Sequence, residues 1–211
     1  MDSDSTHVAV CGFNVPIMFF PVIRTHDAMP SLLRRAGVVH ELRAPLGTGA
    51  HIGLAAQILA AQPAVTTVLW LSTAPDWYPP GLAGVGVDPA RCLFAAVKDD
   101  AEALAGAETG LRGGMAVVVA CEGLTRLAAK RLALAAKQGQ AAGLVLRHTP
   151  ARTAQDSTAF ASRWLVSPAP GGRRRAELLY AKGMAPGVYM FPLEERDDNA
   201  TLAFPGLHRA G

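Results

Sequence analysis

The segment best suited to chemistry is a glycine-rich stretch between a predicted strand at residues 38–42 and a predicted helix at residues 52–61. In a P-loop, the backbone amides of such a turn and of the following helix N-terminus surround phosphate groups. A lysine at the end of the turn draws charge from these groups, and a hydroxyl beside it ligates magnesium. The order of elements and the glycine content therefore fit a phosphate-binding loop at residues 44–51.

Two side chains that phosphate transfer requires are missing from this loop. Ala50 stands where the P-loop pattern has its lysine, and His51 stands where it has the magnesium-binding hydroxyl. We therefore interpret the segment as a degenerate phosphate loop with no catalytic residue, no metal ligand and no cofactor. Its other members are Pro45, Gly47, Thr48 and Gly49.

Two other interpretations of these glycines stay open. Gly47, Gly49 and Gly53 could form a dinucleotide-binding turn, but the next strand ends at Ser72 and supplies no acidic residue for a ribose. The turn could also connect strand to helix and bind nothing. His51 at the helix start could contact an anion when protonated, or could be an ordinary helix residue.

A second candidate site is a basic turn near the C-terminus. Arg173, Arg174 and Arg175 follow Pro-Gly-Gly at the tip of a predicted hairpin, and Arg163 and Lys182 lie in the same segment. An exposed basic turn with few acids nearby suits a nucleic-acid backbone or an acidic protein face. A turn that only keeps the protein soluble is the competing interpretation.

The elements that must position these sites alternate between strand and helix for more than a hundred residues. This alternation predicts an α/β fold with a mostly parallel sheet and helices on both faces. From residue 163 the predicted strands are joined by glycine and proline turns, which predicts an antiparallel C-terminal extension. We divide the chain into an irregular N-terminal arm at 1–36, a core domain at 37–192 and a polar, mobile tail at 193–211.

The composition excludes several classes of protein. Half of the 211 residues are hydrophobic and the net charge is only +3, so a packed core is expected and nucleic-acid binding is permitted but not required. The three cysteines are far apart and form no CxxC pair, which argues against zinc and disulfide frameworks. The acidic start and the absence of a long apolar run indicate a cytoplasmic protein without a membrane segment.

Several short stretches, taken in order, resemble the ImuA family of RecA-like accessory proteins in bacterial damage-induced mutagenesis. Residues 41–49 also resemble the P-loop segment of RecA, and Gly86-Val87-Asp88 falls where RecA-type cores carry the same tripeptide. The ImuA-like stretches extend from residue 37 to residue 191. They are residues 37–42, 68–71, 78–82, 87–91, 102–104, 108–112, 131–136, 163–164, 177–179, 182–183 and 186–187.

The resemblance implies a RecA-like fold and indicates which acidic residues of RecA-type ATPases this chain lacks. RecA-type ATPases place a catalytic glutamate after the second strand, where this chain has residues 72–75 and its nearest acid is Asp76. They place a magnesium-binding aspartate after the strand at 117–119, where this chain has Ala120 and Cys121, with Glu122 beyond. Because phosphoryl transfer depends on placed charges, we expect no ATP hydrolysis.

The function that the resemblance implies is that of an adaptor. Such a subunit would help to assemble an error-prone translesion synthesis complex in the DNA-damage (SOS) response. The implied partners are an ImuB-like Y-family polymerase homologue and an error-prone replicative-type polymerase, with RecA itself and DNA as further candidates. The alternative is a SulA-like cell-division inhibitor, which is also RecA-like without ATPase residues and binds the tubulin-like division protein.

Overall fold

Twelve strands and helices follow one another in the computed structural model, which describes residues 30–62, 64–148 and 159–192. Two short 3₁₀ turns, Ser31–Arg34 and Pro89–Arg91, accompany them. The elements are β1 (Val38–Ala44), α1 (Ala50–Ala60), β2 (Val68–Ser72), α2 (Pro79–Gly84), β3 (Cys92–Ala96), α3 (Asp100–Arg112), β4 (Ala116–Ala120), α4 (Arg126–Gly139), β5 (Ala142–His148), β6 (Ser162–Pro168), β7 (Arg174–Ala181) and β8 (Gly187–Phe191).

All eight of these strands form one sheet in the order β3-β2-β4-β5-β1-β6-β7-β8. The pairs from β3 through β6 are parallel, and the pairs β6–β7 and β7–β8 are antiparallel. This confirms the predicted α/β class with its mostly parallel sheet and antiparallel extension, and it is consistent with a RecA-like fold. The antiparallel part begins one strand later than expected, because β6 pairs in parallel with β1.

Helices cover the sheet on both sides, and each side has its own apolar core. Around α1 and α2 the core includes Trp70, Leu144 and Trp164, all fully buried. Around α3 and α4 it includes Val117 and Val119 of β4, a strand whose continuous apolar run is typical of burial on both faces. Alternate residues of each central strand therefore enter different cores, as the two-residue period of a strand requires.

The helices differ in how their first turns are capped. The Asp99 carboxylate accepts a hydrogen bond from the Glu102 amide at the start of α3, and the Thr125 hydroxyl accepts one from the Ala128 amide at the start of α4. By contrast, α1 follows Gly49, has no side-chain cap and carries no acid in its first turn. Its first amides are thus left without a capping side chain.

Only part of the predicted N-terminal arm lies within the described ranges. Leu33 in its 3₁₀ turn is buried in the same core as α1, and its carbonyl accepts a hydrogen bond of 3.3 Å from the Gln62 side chain. Residues 1–29 of the predicted arm and all of the predicted tail at 193–211 lie outside the described residues. None of the helices within the described ranges combines the length and hydropathy needed to cross a bilayer.

Candidate binding surfaces at the carboxyl edge of the sheet

The degenerate phosphate loop lies between β1 and α1, at the edge of the sheet where the parallel strands end. The last residue of β1, Ala44, pairs with His148, the last residue of β5. The ends of β2 and β4 meet the same edge because these strands run parallel to β1 and β5. Ligands of open α/β sheets bind at such an edge, so the loop has the position that its sequence predicts.

Inside the loop, a tight turn uses groups that a phosphate would otherwise need. The Thr48 amide and hydroxyl both donate to the Pro45 carbonyl, at 3.2 and 2.9 Å. Gly47 has a φ of +78°, a conformation that favours glycine, and this turns the chain back on itself. The two Thr48 donors are therefore used within the turn and are not presented to a ligand.

His51 fills the start of α1 with a neutral ring. It is buried, and its ring centroid lies 4.6 Å from that of His148 in an edge-to-face contact. Burial, together with the neighbouring His148, lowers the pKa of His51 to about 4. The Nδ1 atoms of both rings lack a hydrogen-bond partner in the part of the chain that the structure describes. At neutral pH His51 thus offers an anion no positive charge.

The neighbouring strand ends are engaged in local contacts. After β2, the Ser72 hydroxyl accepts a hydrogen bond from the Ala74 amide at 3.1 Å, and Asp76 is exposed. After β4, burial raises the pKa of the Cys121 thiol to about 12. Glu122 accepts from the His148 amide at 2.9 Å, which ties its carboxylate to the end of β5. These are the positions at which the resemblance implies missing acids.

A buried charge cluster lies beneath this edge, and sequence analysis missed it. The Glu41 carboxylate receives guanidinium groups from Arg43 at 2.9 Å, Arg147 at 3.1 Å and Arg163 at 2.6 Å. Arg43 shares a face with Glu41 because it lies two residues along the same strand. We name these four residues the Glu41 cluster.

Arg163 is therefore not part of an exposed basic surface, as its grouping with the basic turn predicted. Parallel pairing of β6 with β1 places it directly opposite Glu41, and it is buried. The sequence carried one weak signal, the polar residues His40, Glu41 and Arg43 within β1. The pairing itself joins residues 122 positions apart, and no local pattern reveals it.

The basic turn joins β6 to β7, and its three arginines have different surroundings. Arg173 is exposed, and its carbonyl accepts from the Ala169 amide at 2.8 Å, which closes the turn. Arg175 lies 3.4 Å from the Glu177 carboxylate. Arg174 is half-buried with its guanidinium against Gly53 of α1, and burial lowers its pKa. Only Arg173 is thus both exposed and without an ion-pair partner among the described residues.

Lys182, by contrast, does not belong to this turn. It is exposed just after β7 ends, so the eight residues of that strand separate it from Arg173. A strand of this length spans about 25 Å. The predicted basic surface is therefore a turn of three arginines beside α1, with Lys182 at the opposite edge of the sheet.

Comparison with known proteins places the chain beside a small set of relatives. No protein-family model matches it. Protein ImuA from two strains of Caulobacter vibrioides, NA1000 / CB15N and ATCC 19089 / CIP 103742 / CB 15, is 32% identical over 149 residues in each case. Over this stretch the chain is similar to Protein ImuA. The match covers 61% of this chain and 61% of the length of each ImuA relative.

Exposed apolar side chains of this chain form two further candidate surfaces. In one group, Leu93 and Phe94 of the outer strand β3 are exposed. Tyr78, which precedes α2, is 71% exposed. Trp77 connects this group to the core, with its ring 5.7 Å from Phe94. The other group, Leu127 and Leu134, lies on the outside of α4.

Proposed function

We propose that this chain is a non-catalytic, RecA-like adaptor of an error-prone translesion synthesis complex in the DNA-damage response. The similarity to Protein ImuA supports a role in damage-induced mutagenesis. The observation that carries the non-catalytic part is the start of α1, where Ala50 and the neutral, buried His51 stand in place of the lysine and the hydroxyl. Without these groups the loop has no charge to stabilise a transferring phosphoryl group.

The surroundings of the loop support the same proposal. The Thr48 donors are already used by the turn, and Glu122 is tied to the His148 amide. Asp76, the other nearby acid, is exposed in the segment between β2 and α2. A chain that hydrolysed ATP would need other charged groups in place of the missing lysine and acids. The loop and these strand ends contain no lysine, and of their two acids Glu122 is bound to an amide and Asp76 is exposed.

Surfaces rather than a pocket would then carry the function. Aromatic and arginine side chains are the usual anchors of protein interfaces. Such anchors must be exposed before binding. Tyr78 before α2, Phe94 in β3 and Arg173 in the basic turn are exposed. We propose an ImuB-like Y-family polymerase homologue and an error-prone replicative-type polymerase as partners, with RecA and DNA as further candidates.

Deletion of the gene in its own host tests the role. We expect damage-induced mutation frequency to fall to the level of a strain lacking the error-prone polymerase, while spontaneous mutation stays near wild type. A complementing copy carrying Ala50→Gly should restore mutagenesis fully, because the proposal assigns no phosphate chemistry to this position. The matched variant Tyr78→Ser with Phe94→Ser should not restore it.

Two outcomes would overturn the proposal. One is ATP hydrolysis by the purified protein, at a rate typical of RecA-type ATPases and lost in a His51→Ala variant. The other is filamentation of undamaged cells on overexpression together with unchanged induced mutagenesis in the deletion strain. The latter pair of results is what a SulA-like division inhibitor would produce.

A further inference from the structure

The outer face of α4 combines exposed leucines with an excess of positive charge. Leu127 is 68% exposed and Leu134 is 52% exposed, and their spacing of seven positions places both on one line along the helix. The opposite side of α4 is fixed to the sheet by buried residues. They are Ala129, Leu132, Ala135 and Ala136. The two leucines therefore form the outermost ridge of a helix that is already anchored.

Cations flank this ridge on both sides. Arg126, Lys130 and Lys137 lie on one side of it and are exposed, and none of them forms an ion pair with any residue in the described ranges. Arg131 lies on the other side and pairs with the buried Glu108 of α3 at 2.6 Å. No acid occurs anywhere in α4 itself. The face is thus apolar along its centre and positive along its borders.

A groove between α3 and α4 adjoins the ridge on the Arg131 side. It has a volume of about 440 Å³, and its apolar lining includes Leu104, Ala105 and Ala128. Small side chains keep the groove open, so a leucine-sized side chain from another molecule has room beside the ridge. Of the two acids that line the groove, Glu108 is neutralised by Arg112 and Arg131, at 2.7 and 2.6 Å. The other, Asp100, accepts hydrogen bonds from the amides of Glu122 and Gly123.

We infer that this face of α4 docks an acidic amphipathic helix of a partner protein. Such a helix would place apolar residues every three or four positions against the leucine ridge, with glutamates or aspartates on either side. The acids would meet Arg126, Lys130 and Lys137, and this charge complementarity would fix the orientation of the helix and speed its association. The inference does not rest on the proposed function, because any partner with such a helix would fit.

The same face is poorly suited to nucleic acid or to a membrane. Phosphate backbones are contacted by cations and hydrogen-bond donors, and two protruding leucines would be held against a hydrated surface. Helices that lie on membranes bury a broad apolar face in the lipid. In α4 that broad face is already packed on the sheet, which leaves only Leu127 and Leu134.

A designed peptide of about 20 residues, long enough to form a helix on binding, tests the inference. It carries leucines at the a and d positions of a heptad and glutamates at e and g, and a scrambled peptide of the same composition is its control. Fluorescence anisotropy measures binding to the whole protein. We expect saturable binding of the designed peptide and at least about tenfold weaker binding of the scrambled one, a difference of 1.4 kcal/mol.

Paired variants then locate the site. Leu127→Ser with Leu134→Ser should weaken binding at least about tenfold, whereas Leu46→Ser, at the even more exposed Leu46 of the phosphate loop, should leave it unchanged. Lys130→Glu with Lys137→Glu should also weaken it, and this variant should bind a peptide in which lysine replaces glutamate. Lys182→Glu is the charge control. Circular dichroism melting checks that each variant is folded.

Three results would overturn the inference. One is a wild-type protein that does not bind the designed peptide, or that binds the scrambled peptide equally well. Another is wild-type affinity in the leucine and lysine variants. The third is competition for the same side chains by a DNA duplex of random sequence or a phosphatidylserine vesicle with higher affinity than the peptide, which would assign the face to nucleic acid or to lipid.

Discussion

At the scale of single residues, Glu41 has the most demanding environment in the described chain. Its carboxylate is buried in the sheet and is shared by Arg43, Arg147 and Arg163. Each of these arginines would be left beside like charges if the carboxylate were removed, and burial makes that arrangement costly. The Glu41 cluster therefore links β1, β5 and β6 through one side chain.

We expect Glu41→Gln to destabilise the fold by about 3–5 kcal/mol, because the buried guanidinium groups lose their counter-charge while the side-chain volume is kept. Urea denaturation of wild type and variant measures the change. Glu177→Gln is the matched control, since Glu177 pairs with the partly exposed Arg175 at 3.4 Å and should change stability by no more than about 1 kcal/mol. Equal destabilisation by the two substitutions would contradict this account.

Some features of single residues could be predicted from the sequence and others could not. Ala50 and His51 could be assigned from the sequence because loop residues keep a fixed spacing from the strand and the helix beside them. The ring contact between His51 and His148 could not, because it joins elements about a hundred residues apart. Gly53 is a further case: it fits a cofactor-binding pattern in the sequence, but in the fold its lack of a side chain leaves room for Arg174.

At the scale of elements, local patterns predicted most of the strands and helices but not their directions. The continuous apolar run in β4 and the capping aspartate of α3 can each be recognised from residues that are adjacent in sequence. Whether β6 runs parallel or antiparallel to β1 depends instead on a pairing between residues 122 positions apart, which no local pattern reveals. That single direction decides whether Arg163 is exposed or meets Glu41.

The turn between β6 and β7 gives a prediction at this scale. We expect Arg173→Ala to leave the fold intact, because surface substitutions usually change stability little, and to weaken DNA binding with a shallower dependence on salt. Arg174→Ala should also lower stability, since its guanidinium packs against α1 at Gly53. Binding of a labelled duplex at several salt concentrations, together with thermal melting, separates the two effects.

Lys182→Ala is the control for that experiment, because Lys182 lies at the other end of β7. Its affinity and salt dependence should match those of wild type. If Arg173→Ala also bound DNA like wild type, the result would favour the competing interpretation, in which the turn only keeps the protein soluble.

At the scale of the whole molecule, two buried histidines connect stability to pH. His40 lies in β1 with its Nδ1 2.7 Å from the Ser162 hydroxyl, and burial, with a smaller effect of Arg35, lowers its pKa to about 4. Burial and His148 lower the pKa of His51 to about 4 as well. One ring is in the middle of the sheet and the other is at the phosphate loop, so between pH 6.5 and about 4 both are neutral in the folded chain and become protonated in the unfolded chain.

We expect the folded protein to lose stability as pH falls from 6.5 towards 4. In this window the unfolded chain takes up protons on both histidines and the folded chain does not, which favours unfolding by up to about 1.4 kcal/mol per pH unit for each residue. Urea denaturation at pH 7.5, 6.5 and 5.5 measures the slope above the range in which most carboxylates titrate.

His51→Phe keeps an aromatic ring at the loop and removes one of the two protons, so its slope between pH 6.5 and 5.5 should be about half that of wild type. A slope that is unchanged in His51→Phe, or a wild type equally stable at pH 7.5 and 5.5, would mean that these rings accept protons inside the fold. The loop would then carry positive charge at mildly acidic pH, and the argument that His51 cannot attract an anion would hold only above that range.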